Sequence, residues 1–191
     1  KGELSLLDFN EFLSDDIRQD IIFTEPATFE GKLEGSLNDW RLNFYSSLPS
    51  DGEIGIKGLF RKPKETSINL LGDIRSTKNQ IEIEKFLIEL DKNKINFKGD
   101  LGYSTENFLD ARNITVTVPE FDIGNLNQFV DPSLTSGTLS GIIDSNIQVN
   151  GPIFSPDVNG FINLKQIKLP AIQVDEITSN IQLANQHADI N

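Results

Sequence analysis

The chain has 191 residues, 37% hydrophobic and 24% charged, a balance that excludes both a disordered segment and a bundle of membrane helices. Its 29 acids outnumber 17 bases, and the net charge of −12 argues against nucleic acid, whose phosphates need a basic footprint, and against simple docking on anionic headgroups. With no Cys and a single histidine, His187, disulfides and thiolate chemistry are excluded and a zinc centre very nearly so.

In chain order, the first element expected is a turn or two of helix over Asp8-Phe9-Asn10-Glu11-Phe12-Leu13. Alternation then dominates. Phe29, Gly31, Leu33, Gly35 and Leu37 share one side of an extended chain, because successive side chains point to opposite faces. The same period runs through Ile54, Ile56, Gly58 and Phe60, and through Ile68, Leu70, Gly72 and Ile74. It returns at Ile95, Phe97, Gly99, Leu101 and Tyr103, and again at Ile114, Val116 and Val118. A second short helix is expected over Asn125-Leu126-Asn127-Gln128-Phe129-Val130. Leu139, Gly141, Ile143, Ile147 and Val149 then form the longest run, followed by Val158, Gly160, Ile162 and Leu164, and finally by Ile177, Ile181 and Leu183. The opposite positions are mostly Lys, Glu, Asp, Asn, Gln and Ser, which is the pattern of a half-buried antiparallel sheet. Turn residues separate the runs, as at Pro49-Ser50-Asp51-Gly52, Asp91-Lys92-Asn93-Lys94 and Asn150-Gly151-Pro152, and roughly a dozen strands result.

The fold class expected is therefore all-β: an elongated, curled, antiparallel-rich sheet with one or two very short helices. A sheet of that many strands must curl, split or close, and two short helices cannot cover its apolar face. Glycines recurring on that face mark bends, bulges or close approaches, so the face becomes either the floor of an apolar-lined groove or the core of an ordinary barrel. The two helix-like stretches match as Asn-Glu-Phe-Leu and Asn-Gln-Phe-Val, each preceding a Gly-dotted strand. This divides a single segment, 1–191, into two repeat-like units of about 1–120 and 121–191, with chance similarity in a low-diversity β sequence as the alternative. A start at Lys1, without Met or signal-peptide order, reads as a fragment of something longer.

Catalytic groups are scarce. A Ser–His–Asp arrangement would have to use His187, and there is no Gly-x-Ser-x-Gly elbow. Asp15-Asp16 and the Glu82/Glu84 pair fit a polar strand face better than acid–base work, and Asp157-Val158-Asn159-Gly160 lacks the ligand spacing of a calcium loop. The sequence reads as a non-enzyme without catalytic residues, metal or cofactor.

Residues 121–183 carry a family signal. Phe121-Asp122-Ile123-Gly124-Asn125-Leu126-Asn127-Gln128-Phe129-Val130 is followed by the Gly-centred strand Thr138-Leu139-Ser140-Gly141-Ile142-Ile143, an Asn150-Gly151 turn, and the step Pro156-Asp157-Val158-Asn159-Gly160. This order resembles the TamB family of envelope proteins and the wider AsmA-like group, including the chloroplast inner-envelope homologue. The resemblance covers about the last seventy residues and is diffuse elsewhere. It implies an inner-membrane-anchored protein crossing the periplasm, with a groove of the β-taco type and an outer-membrane barrel partner of the Omp85 class. It also implies phospholipid movement between membranes and support of outer-membrane protein assembly. The apolar residues of the alternating runs are then the expected groove lining for phospholipid acyl chains. A groove that docks unfolded outer-membrane proteins by strand addition, and a structural sandwich or solenoid with a sealed core, are the rival expectations.

Overall fold

The structure is a computed structural model. It describes residues 2–4, 21–23, 26–48, 50–51, 53–56, 60–62, 64–103, 109–130, 140–152, 155–169, 172–184 and 187–190. These form an all-β chain. The strands are β1 (Gly2–Leu4), β2 (Ile21–Phe23), β3 (Ala27–Ser36), β4 (Asp39–Leu48), β5 (Ile54–Ile56), β6 (Phe60–Lys62) and β7 (Ile68–Thr77). They continue with β8 (Gln80–Leu90), β9 (Asn93–Tyr103), β10 (Leu109–Asp122), β11 (Ser140–Pro152), β12 (Asp157–Leu169), β13 (Ile172–Ala184) and β14 (His187–Ile190). One 3-10 helix, Ile123–Gln128, follows β10. The other expected helix, at 8–13, lies outside the described residues, as do Leu139 and the start of the run that contains it.

Eleven strands form one antiparallel sheet in the order β1-β3-β4-β7-β8-β9-β10-β11-β12-β13-β14. Apart from the excursions through β2 and β5–β6, each strand pairs with its neighbours in the chain, as tight turns between alternating runs dictate. The sheet is open: β1 and β14 are opposite edges, and it is not strongly curled.

Ile54 and Ile56 do not join the long sheet. They lie in β5, at the centre of a three-stranded sheet ordered β2-β5-β6, where Ile56 pairs with Phe60. The run that read as one alternating strand holds two three-residue strands, Ile54–Ile56 and Phe60–Lys62, paired with each other.

Packing concentrates at one end of the long sheet. Leu48, Ile68, Leu90 and Asn93 are successive register partners there, and Leu48, Asn93, Phe121, Ile123 and Phe129 are buried. Asn93 ties β9 to β10 by two hydrogen bonds: its Nδ2 donates to the Asp122 carbonyl at 3.1 Å, and the Asp122 amide donates to its Oδ1 at 2.9 Å. The Asp122 carboxylate accepts from the Gly124 amide at 2.8 Å, the usual side-chain cap of a helix start. The Arg61 amide donates to the Phe129 carbonyl at 2.7 Å, so the small sheet and the 3-10 helix meet at this end.

A candidate apolar binding face

Register partners in an antiparallel sheet project their side chains to the same side. One row can be followed through nine strands: Gly31, Phe44, Gly72, Phe86, Phe97, Val116, Ile147, Gly160 and Ile181. The next row on one flank carries Leu33, Leu42, Ile74 and Ile83 and continues past Gly99 through Ile114, Val149, Val158 and Leu183. Leu70, Ile88 and Ile95 lie on a neighbouring row, with Phe29 partnered to Ser46 at its start. Val118, Ser145, Ile162 and Ser179 lie in register beyond, and so do Ile143, Leu164 and Ile177. Leu101 sits between Ile81 and Ala111. None of these register partners is charged.

The expected lining residues of the long strands thus share one face: Phe29, Leu33, Ile68, Leu70, Ile74, Ile95, Phe97, Leu101, Ile114, Val116, Val118, Ile143, Ile147, Val149, Val158, Ile162, Leu164, Ile177, Ile181 and Leu183. Leu37 lies just past the end of β3 in the turn, with 97% of its surface exposed. Alternation missed β4 and β8, which add Trp40, Leu42, Phe44, Ile81, Ile83, Phe86 and Ile88 to the face. In β4 the signal was present, at positions 40, 42 and 44. In β8 a bulge hides it, because Glu84 and Lys85 together oppose Lys98, so Ile83 and Phe86 point the same way although three residues apart.

Three further bulges keep the face continuous across the long strands. They fall at Arg112/Thr115 and Val118/Phe121 of β10 and opposite Gly141 of β11. Each carries a non-glycine residue in the left-handed region: Asn113 at φ 53°, Glu120 at 44° and Gln166 at 53°. Gly99 and Gly141, at φ 137° and 145°, stand across from two of these bulges, in a backbone region that side chains rarely enter. The expectation that glycines on this face mark bulges therefore holds at both positions.

Aromatic rings bind the early strands together. Phe29 stacks on Phe44 at 6.0 Å between centroids, Phe44 meets Phe86 at 6.2 Å, and Phe86 meets Phe97 edge-on at 5.7 Å. Each such pair contributes about 0.5–1.5 kcal/mol beyond its area. Phe44, Phe86, Phe97, Val116, Ile147 and Ile181 remain only half-buried.

The other face is polar. Arg41 donates to both Asp73 oxygens at 2.7 and 2.6 Å, and Arg75 donates to both Asp39 oxygens at 3.2 Å. The Arg41 guanidinium holds the Asp73 carboxyl below the usual carboxylate range, its hydrogen bonds outweighing the cost of partial burial. Tyr45 and Ser47 hydroxyls both donate to Asn69 Oδ1. Leu71 and Leu87, register partners on this side, are its main apolar exception, and Leu87 is buried.

Comparison with family models, curated proteins and solved structures finds no match.

Proposed function

We propose that the uncharged face binds lipid acyl chains, and that the chain is the lipid-conducting, periplasmic part of an inner-membrane-anchored envelope protein of the kind the TamB resemblance implies. The observation that carries the reading is the apolar row running through nine consecutive strands of an open sheet with no charged register partner. A bound chain gains about 0.8 kcal/mol for each methylene it buries. With no polar contact to satisfy along the row, it can shift sideways without meeting a deep trap. Bending of the two flanks over such a chain would complete a β-taco groove. The barrel partner of the Omp85 class and the support of outer-membrane protein assembly belong to the same proposal.

The test is extraction and mass spectrometry of lipids copurifying with the chain, followed by binding of a fluorescent fatty acid. Val116→Asp and Ile147→Asp put a charge at mid-face and are expected to weaken that binding at least tenfold while β circular dichroism persists. A protein that yields no lipid and binds no fatty acid overturns the reading.

A second reading has its own observation. Among the described residues, β1 covers the first residues of β3, through Phe29, and Glu30–Ser36 is exposed along this edge. An extended strand from an unfolded outer-membrane protein could add there. A photo-crosslinker at Lys32 that captures unfolded barrel substrates supports it, and one that captures only lipid counts against it.

A further inference from the structure

The end of the face opposite the packed small sheet carries the β3–β4 turn. Leu37 in that turn is 97% exposed and Leu33, two pleat repeats back on the sheet face, is 68% exposed. Trp40, the only tryptophan, lies in register with Gly35 beside them. Glu34, Gly35, Ser36 and Leu42 complete the walls of an open depression of about 720 Å³. Gly35 permits the close approach, since its φ is 116° and an added Cβ would run into the Asp39 carbonyl.

Charge separates this tip from the rest of the molecule. Residues 32–41 hold Lys32, Glu34, Asp39 and Arg41, and residues 73–82 of the adjoining hairpin hold Asp73, Arg75, Lys78 and Glu82. Four acids meet four bases, so the whole net charge of −12 lies elsewhere. Arg41–Asp73, Arg75–Asp39 and Lys32–Glu34 close as ion pairs across or along these strands. A neutral tip meets a zwitterionic headgroup layer without the repulsion that the remaining surface would suffer.

We infer that the β3–β4 hairpin tip inserts shallowly into a zwitterionic lipid bilayer, with Leu37 in the acyl boundary, Trp40 behind it at headgroup level and Leu33 at the outer margin. Two residues set Trp40, level with Gly35, about 7 Å behind Leu37, within the depth of about 5–10 Å to which interfacial elements bury. Tryptophan favours that boundary because its ring is apolar and its N–H is polar. A second protein is the weaker occupant: the exposed Leu33, Leu37 and Trp40 surface is on the order of 400 Å², half of one partner's share in a standard interface.

Trp40 is its own probe. On adding phosphatidylcholine vesicles to the full chain, its emission is expected to shift to shorter wavelength and to lose acrylamide quenching. Leu37→Ala removes a leucine that makes no packing contribution in the free protein. It is expected to weaken vesicle partitioning roughly tenfold or more, as loss of a buried leucine predicts; Leu37→Asp is expected to abolish it. Unchanged Trp40 emission with vesicles, or a wild-type response from Leu37→Asp, overturns the inference. It does not rest on the acyl-chain reading. A chain that binds monomeric fatty acid but leaves Trp40 unmoved by vesicles sinks the tip alone, and the reverse pattern sinks the acyl-chain reading alone.

Discussion

Phe44 owes its position to Gly72. A Cβ at Gly72 would collide with the edge of the Phe44 ring, which covers that glycine and so lies within reach of Phe86 across β7. Gly31 is covered instead from its own strand, by the Phe29 ring, with its nearest atom 2.9 Å from an added Cβ. Covering a strand glycine with a cross-strand aromatic restores packing that the missing side chain would forfeit. Gly72→Ala is therefore expected to destabilise the fold by about 1–3 kcal/mol through forced displacement of the ring. Urea denaturation measures it, and Phe44→Leu in the same chain should recover part of the loss. At this scale the sequence was legible in outline: glycines on the apolar side announced close approaches. Which ring would lie over which glycine was not legible, because that depends on the register between strands rather than on any one strand.

At the scale of elements, period-two alternation identified the strands whose apolar positions run unbroken, such as Ile68–Leu70–Gly72–Ile74 and Val158–Gly160–Ile162–Leu164. It failed where the backbone changes phase. The extra residue at Glu84-Lys85 carries Ile81 and Ile83 back to the face that Phe86 and Ile88 occupy. Deleting Glu84 should reverse that rescue, sending Ile81 and Ile83 to the side that holds Asp73 and Arg75. Two half-buried isoleucines lost from the face amount to about 2 kcal/mol, which lowers the melting temperature of a chain this size by roughly 4–8 °C. A melting curve followed by circular dichroism reads this directly; an unchanged midpoint would mean that the bulge is not what sets the phase. The small sheet marks the opposite error. Ile54 and Ile56 alternate as well as any other pair, but a three-residue strand offers no length over which to distinguish one sheet from another.

For the whole molecule, the order of strands in the sheet follows their order in the chain, and that order was implicit in the short turns between runs. Whether the sheet would close was not, because closure depends on how far the two edges lie from each other, and no local pattern encodes that distance. The absence of closure has a mechanical meaning. Ten spacings of about 4.8 Å set the edges of the long sheet about 48 Å apart, so the number of strands acts as a ruler across the apolar row. Since neighbours in sequence are neighbours in space, most pairings close short loops, and a hairpin can be lost without dismantling the rest. Excision of residues 157–184, the β12–β13 hairpin, should leave β3–β11 protected in hydrogen exchange, whereas loss of protection throughout would mean that the sheet folds only as a unit. An added hairpin lengthens the row by about 10 Å and returns the chain to the same edge with the same face exposed. Duplication of a short stretch of gene is therefore enough to change the span of such a protein, with no new fold to discover and no old contact to break.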